Sequence, residues 1–178
     1  MEKELVFHSQ GNRIEISRAA TEKDRFDVAR QFGYGMLKQG TIYVARVNGQ
    51  LAGFAGYLDN ALIKIEVSKS FRNFGPISEK LLGFSVNDYF ARNRGMREIT
   101  FNASSQVRKK QKALERWYGM KGALRNPAMR GAFYFTRPKA GETLLQARAR
   151  ETKKMTTEWR PPKRSAVSAK KARRRRLP

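Results

Sequence analysis

Apolar and polar residues alternate along several short runs of the chain, and this period of two is typical of half-buried β-strands. The clearest runs, residues 41–47 and 50–57, flank the dipeptide Asn48-Gly49. Both positions of a tight hairpin turn need positive φ, so this arrangement predicts a β-hairpin. Strands are predicted at residues 5–7, 13–17, 41–47, 50–57, 61–67, 97–101 and 132–136.

The run at residues 61–67 predicts a strand with two chemically different faces. Successive side chains of a strand point to opposite sides. Ile63, Ile65 and Val67 are therefore expected on the buried face, and Lys64 and Glu66 on the other.

Helical periodicity separates these strands. Thr21 and Asp24 have the spacing of a capping box, which predicts a helix start, and Gly40 is its predicted end. The predicted apolar stripe of this helix comprises Phe26, Ala29, Gly33, Met36 and Leu37. Further helices are predicted after Pro76, at residues 107–118 and at residues 143–160.

The order of these elements predicts a mixed sheet covered by helices on both faces, an α/β (α+β) fold. We expect one folded domain over residues 1–140 and a basic tail over residues 141–178. From Pro161 onward the chain lacks aromatic residues and has few large apolar ones, which favours disorder.

Charge is the most unusual feature of the composition. Lys and Arg number 38 against 15 acidic residues, a net charge of +23. Residues 148–178 carry 13 of these basic residues and two acidic ones. Polyanions are the expected partners, and we predict contacts to nucleic-acid phosphates by one cluster in the tail. The cluster comprises Lys170, Lys171, Arg173, Arg174, Arg175 and Arg176.

The composition also excludes several classes of site. The chain has no cysteine, which excludes disulfides and thiolate ligands, and its one histidine makes a transition-metal enzyme an unlikely class. We interpret His8 as an exposed or strand-edge residue. The N-terminus is charged and no run approaches the roughly 20 apolar residues of a membrane span, so a cytoplasmic location is expected.

The segment after the strand at residues 61–67 resembles the signature region of the GNAT family of N-acetyltransferases. In that family a strand ending in Val leads to an Arg/Gln-x-x-Gly-x-Gly/Ala loop and a helix. Here Val67 precedes the run Arg72-Asn73-Phe74-Gly75-Pro76-Ile77. Free amides at a helix N-terminus and a nearby arginine suit a diphosphate, which acetyl-CoA carries.

A second similarity lies downstream, where the family has a helix ending in Tyr-x-x-x-Gly-Phe and this chain has Tyr118, Gly122 and Ala123. The resemblance covers residues 13–137 and implies a GNAT-like, mostly antiparallel sheet flanked by helices. It also implies an acetyl-CoA-dependent N-acetyltransferase acting on an amine of unknown identity.

The resemblance implies a role for each matching residue. Tyr118 corresponds to the acid that protonates the leaving thiolate, and the Val67 amide to the group that polarises the thioester. Glu66 is the carboxylate best placed to act as base, or it is a surface residue paired with Lys64. The predicted cofactor-binding residues are Val67, Arg72, Asn73, Phe74, Gly75, Ile77 and Ser78.

Departures from the family pattern keep a second hypothesis open. Ile77 stands where the family has Gly or Ala, Pro76 removes an amide, and Gln111 replaces a common Asn. A catalytically inactive protein of this fold that binds nucleic acid or belongs to a particle is the alternative. Small GNAT-like phage proteins, some carried in virions, are similar in size; an accessory protein of a ribonucleoprotein is a third interpretation.

Overall fold

The computed structural model describes residues 4–33, 40–103, 108–127, 129 and 131–158, except the side chains of residues 108, 109 and 158. The chain divides into two compact units, Met1–Arg148 and Ala149–Pro178. The basic cluster at residues 170–176 and the predicted disorder beyond residue 161 lie outside the described residues. The boundary after residue 140 stays a prediction.

Eight described strands form one sheet in the order β1-β2-β3-β4-β5-β6-β8-β7. All neighbours are antiparallel except β5 and β6, which are parallel. The strands are β1 Glu4–Ser9, β2 Asn12–Arg18, β3 Thr41–Val47, β4 Gln50–Leu58, β5 Ala61–Val67, β6 Glu98–Asn102, β7 Leu124–Arg125 and β8 Ala132–Thr136. The predicted mixed and mostly antiparallel sheet flanked by helices is confirmed.

The helices follow the predicted order. They are α1 Glu22–Phe32, α2 Ile77–Arg92, α3 Arg108–Met120 and α4 Leu144–Glu158, with a 3₁₀ turn at Lys69–Phe71 before α2. α1 packs on one face of the sheet against Ile42, Val44 and Phe54. α2 and α3 contribute to the larger core on the other face.

The capping box of α1 is confirmed, but its predicted apolar stripe is wrong. The Thr21 hydroxyl accepts from the Asp24 amide at 3.2 Å, and the Thr21 amide donates back to Asp24 at 3.3 Å. α1 ends at Phe32, and residues 34–39 lie outside the described residues. Phe26 is 67% exposed and Val28 is fully buried, because the side of α1 that faces Phe54 carries Val28.

The strand register shows that one prediction for β5 is wrong. The predicted hairpin turn is confirmed, with φ of 49° at Asn48 and 82° at Gly49. In β5, Leu62 pairs with Tyr57 and Lys64 with Gly56, so Ile63 is the extra residue of a β-bulge. The prediction that Ile63 shares a buried face with Ile65 and Val67 is therefore wrong, and Ile63 is 40% exposed.

Candidate functional site

The sheet opens between its two parallel strands. Ala61, the first residue of β5, pairs with Thr100 in β6, and this is the only β5–β6 pair among the described residues. The Thr100 amide donates to the Asn60 carbonyl at 2.8 Å, which fixes the strands together at this end. Toward Val67 the β6 side of β5 is unpaired, which leaves an opening at the carboxyl ends of the two strands.

Backbone amides of β5 face this opening. The Ser68 amide donates to the Ala52 carbonyl of β4 at 2.8 Å. Hydrogen-bonded and non-hydrogen-bonded pairs alternate along an antiparallel ladder, so Glu66 also bonds to β4. The Ile65 and Val67 amides therefore point away from β4, toward the opening.

The loop after β5 has amide donors that its own fold does not use. Within residues 68–80, all of them described, the Phe71 and Phe74 amides donate inside the loop. The Asn73 and Gly75 amides have no protein acceptor there, and Ser78 lies in the first turn of α2, where amides lack intrahelical acceptors. These groups lie at the positive end of the helix dipole, which favours an anion.

Arg72 is held at the end of β5. Its Nε donates to the Val67 carbonyl at 3.2 Å, while the residue as a whole stays exposed. Because only Nε is used in this contact, the terminal nitrogens of the guanidinium are directed elsewhere and can donate to an anion. Phe74 packs on Phe71 with ring centroids 5.6 Å apart, which gives the loop an apolar anchor.

Ile77 lies in the core and not in the loop. Its side chain is 1% exposed, and its amide donates to the Gly75 carbonyl at 2.8 Å. Pro76 is the N-cap, and its carbonyl accepts from the Lys80 amide at 2.9 Å. The branched side chain at position 77 thus leaves the mouth of the loop open.

Gly75 meets two structural requirements, of which the sequence indicated the positive φ but not the close approach of another strand. Its φ is 116°, and a Cβ added there would lie 2.4 Å from the Ser9 hydroxyl oxygen at the end of β1. Glycine is needed here for its backbone angle and for the close approach of β1. Ser9 had no signal in the sequence, because the contact joins distant parts of the chain.

Tyr118 lies at the end of α3, on the sheet face covered by α2. It is 8% exposed, and its ring centroid lies 4.5 Å from that of Phe101 in β6. Burial raises the pKa of Tyr118 to about 12, so its hydroxyl is protonated at neutral pH. Among the described residues this hydroxyl has no hydrogen-bond partner, and its oxygen is not fully buried. It therefore keeps contact with solvent.

Glu66 lies on the opposite face of the sheet from Tyr118. It pairs in register with Phe54, which belongs to the α1 side of the sheet, and directly opposed residues share a face. Its carboxylate bonds the Lys64 ammonium at 2.9 Å, and both side chains are about one-third exposed. The opening thus has a carboxylate on one face and a tyrosine hydroxyl on the other.

Gln111 secures the start of α3 to the sheet. Its side-chain amide donates to the Ala103 carbonyl after β6 and to Glu115 Oε1 at 2.8 Å. Sequence comparison had marked Gln111 only as a departure from the family pattern. In the structure its longer side chain joins β6 to α3 beside the opening.

Among the described residues, no three His, Asp or Glu side chains come together as a metal-binding group. No described helix has the length and apolar character that crossing a membrane requires.

Solved structures similar to this chain include acetyltransferases of the GNAT family. A GNAT family acetyltransferase from Elizabethkingia anophelis with acetyl-CoA bound has a TM-score of 0.46 and 16% identity, covering 70% of this chain and 98% of that one. An IAA acetyltransferase from Bacillus cereus has a TM-score of 0.45 and 16% identity, covering 70% and 99%. The toxin AtaT bound to the antitoxin AtaR has a TM-score of 0.49 and 10% identity, covering 69% and 91%.

No family model matches the chain, and no curated protein matches it.

Proposed function

We propose that this protein is an acetyl-CoA-dependent N-acetyltransferase whose acceptor is an amine. The observation that carries the proposal is the opening between β5 and β6, which ends at a loop with unused amide donors. A ligand with a narrow chain fits the opening, and a diphosphate on that chain fits the amide donors of the loop. The buried side chain of Ile77 and the exposed guanidinium of Arg72 both fit such a ligand.

Binding is assigned to the loop and to the first turn of α2. The Asn73 and Gly75 amides and the Arg72 guanidinium hold the diphosphate, with the Ser78 amide and hydroxyl at the start of the helix. Phe74 keeps the loop in place through Phe71. The net charge of +23 adds a long-range attraction for an anionic cofactor.

The bound cofactor supplies an acetyl thioester to the opening. The Val67 amide faces the opening and donates to the thioester carbonyl. Tyr118 donates its hydroxyl proton to the leaving sulfur. Glu66 accepts the proton of the attacking ammonium on the α1 face, directly or through water, and its carboxylate lies 2.9 Å from the Lys64 ammonium.

The first test is calorimetric titration of nucleic-acid-free protein with acetyl-CoA. We expect micromolar binding that Arg72→Ala weakens by about 10- to 100-fold, because a charged hydrogen-bond donor is lost. Arg94→Ala is the matched control, since Arg94 is an exposed arginine in the turn after α2. Absence of binding at millimolar acetyl-CoA, or equal loss in both variants, would overturn the proposal.

A second candidate is a protein of this fold that binds nucleic acid and has no transferase activity. Two observations favour it: Pro76 has no amide to offer the ligand, and Ser9 already lies against Gly75. The basic cluster at residues 170–176 supplies its phosphate contacts. A virion or nucleoprotein location accompanies this function, and a cytoplasmic location accompanies the transferase. Failure of the calorimetric test would favour this candidate.

A further inference from the structure

β1 forms one edge of the eight-stranded sheet, and its outer side has no partner strand among the described residues. Glu4, Val6 and His8 are exposed, while Leu5 and Phe7 are half-buried. Exposed edges are usually protected by a proline, a lysine, a bulge or a very short strand. β1 has six residues in unbroken register with β2, and it contains neither proline nor lysine. Within the part of the chain that the structure describes, this edge is therefore open to a further strand.

The hairpin between β1 and β2 determines which backbone groups point outward. Ser9 and Asn12 flank a two-residue turn in which both residues have positive φ. The residues that flank such a turn form a hydrogen-bonded pair, and bonded and non-bonded pairs alternate from there along the strands. Every second residue counted back from Ser9 thus bonds to β2. The amides and carbonyls of Glu4, Val6 and His8 point to the open edge.

The other side of β2 agrees with this alternation. Arg13 lies opposite His8, and its carbonyl accepts from the Asn48 amide at 2.9 Å. The Arg13 amide donates to Asn48 Oδ1 at 3.0 Å. Since both backbone groups of Arg13 are directed toward the end of β3, those of His8 receive no bond from β2.

We propose that two copies of this chain associate through β1, antiparallel and centred on Val6, so that their sheets become continuous. Glu4 of one copy then lies opposite His8 of the other, and Leu5 lies opposite Phe7. This register pairs all three outward residues of β1, whereas every other antiparallel register leaves at least one of them without a partner. The interface goes beyond the proposed transferase function and does not depend on it, because no residue assigned to the transferase site lies in β1.

The polar side chains are complementary in this register. Neither Glu4 nor His8 has a hydrogen bond or an ion pair with another described residue. A carboxylate can accept from an imidazole N–H whether the ring is neutral or charged. Arg13, the cation opposite His8 in β2, is already paired with Glu15 at 2.7 Å. The second copy's Glu4 therefore supplies the acceptor that His8 lacks.

Apolar surface lies on both faces of this edge. Val6 is 39% exposed on one face, and Leu5 and Phe7 pack partly against the larger core on the other. Leu5 also lines a groove of about 730 Å³ beside α2, together with Phe84 and Leu144. Phe7 of the second copy, opposite Leu5, meets the rim of this groove. A strand pair alone is small for an interface, and this apolar surface adds to it.

The first test is sedimentation equilibrium of the full chain, freed of nucleic acid. The salt concentration is about 0.3 M, which screens the repulsion between two copies of net charge +23. We expect a monomer–dimer equilibrium with a dissociation constant of about 10 μM, typical of a small interface. A chain that stays monomeric at about 1 mM would overturn the proposal.

Val6→Cys locates the interface, because the chain has no cysteine of its own. A hydrogen-bonded antiparallel pair holds its Cα atoms about 5.5 Å apart, a distance that a disulfide bridges. We expect oxidation with diamide to link Val6→Cys into a dimer and to leave Ile63→Cys monomeric. Ile63 is the matched control, since it is 40% exposed in β5. Equal linkage of both variants, or linkage of neither, would contradict pairing at Val6.

Charge reversal tests the register. His8→Glu places a carboxylate opposite Glu4 of the second copy and should weaken association by at least about tenfold. Combining it with Glu4→Lys restores opposite charges across the interface and should recover the wild-type dissociation constant. Weakening that the double variant does not recover would mean that the two positions are not opposed. Circular dichroism of each variant separates loss of association from loss of fold.

Discussion

At the scale of single residues, the account depends most on Tyr118. Its environment is an aromatic one, formed by Phe101 and Trp117, and its hydroxyl has no described partner. Such a residue serves as a packing element whether or not it also donates a proton. The two roles separate experimentally, because removal of the hydroxyl alone leaves the aromatic packing in place.

Tyr118→Phe is expected to lower kcat by about 100-fold or more while acetyl-CoA affinity stays unchanged. In the proposed mechanism the hydroxyl protonates the leaving sulfur and makes no contact with the diphosphate. The measurement is a steady-state rate with an amine acceptor found by screening, combined with calorimetry. An unchanged kcat would leave Tyr118 as a packing residue only.

The same substitution tests the raised pKa of Tyr118. Its folded pKa of about 12 lies above the ordinary value of 10, so the folded state keeps the proton between pH 10 and 12 while the unfolded state loses it. The contribution of Tyr118 to stability is therefore constant below pH 10 and falls by about 1.4 kcal/mol per pH unit from 10 to 12.

Urea unfolding across this pH range provides the measurement. Wild type should lose stability faster than Tyr118→Phe above pH 10, and the two should run in parallel below it. Burial also raises the pKa values of Tyr43 and Tyr57, which are present in both proteins. Desolvation is the largest cause for both, and the smaller Coulombic contribution of Tyr118 to the pKa of Tyr57 is lost in Tyr118→Phe. If the stabilities of wild type and Tyr118→Phe run in parallel over the whole pH range, the Tyr118 hydroxyl ionises as readily in the folded protein as in the unfolded one.

At the scale of elements, the strands with a clear period of two were predictable from sequence. The Asn48-Gly49 hairpin and the residues of β5 and β8 are examples, because their pattern and turn chemistry are local. β7 has only two residues, too few to show a period. The bulge at Ile63 and the opening beyond Ala61 depend on register between strands, which local pattern does not determine.

The candidate site was indicated by the sequence only in part. The family resemblance pointed to Arg72, Gly75 and Tyr118 together. The structure shows which residues each of them contacts. The contact between Ser9 and Gly75 joins residues far apart in sequence, and neither residue signals it. The burial of Ile77 likewise depends on which side of α2 meets the sheet.

The link between β1 and the loop gives a prediction for Gly75→Ala. We expect a loss of about 1–3 kcal/mol in the free energy of unfolding, because alanine is strained at a φ of 116° and its Cβ meets Ser9. Acetyl-CoA affinity should fall as well, since the loop must shift. Chemical denaturation and calorimetry measure the two effects.

Gly83→Ala is the matched control, because a Cβ there meets open space and alanine favours the helix. It should raise stability slightly. A Gly75→Ala variant as stable as wild type would mean that β1 and the loop are not in contact in solution.

At the scale of the whole molecule, charge is the dominant property. Nine of the 38 basic residues and none of the acidic ones lie in residues 159–178, so removing this segment lowers the net charge from +23 to +14. A cut after Glu158 also leaves intact the contact of Arg148 with the Gly119 carbonyl. The truncation thus removes charge and none of the described residues.

We expect this truncation to weaken binding to a DNA duplex and to reduce the slope of log affinity against log salt, because each lost phosphate contact lowers that slope by about 0.9. Acetyl-CoA binding should stay unchanged. Fluorescence anisotropy at several salt concentrations and calorimetry provide the two readouts. If both activities disappear together, the separation of transferase domain and nucleic-acid-binding tail is wrong.

The central claim is that the opening between β5 and β6 and the loop after it hold acetyl-CoA. Amide chemical shifts of ¹⁵N-labelled protein, recorded during titration with coenzyme A, test this most directly. The account predicts the largest shifts at Val67, Asn73, Gly75 and Ser78, at the end of β5, in the loop and in the first turn of α2. Saturable binding that leaves these amides unchanged would contradict it.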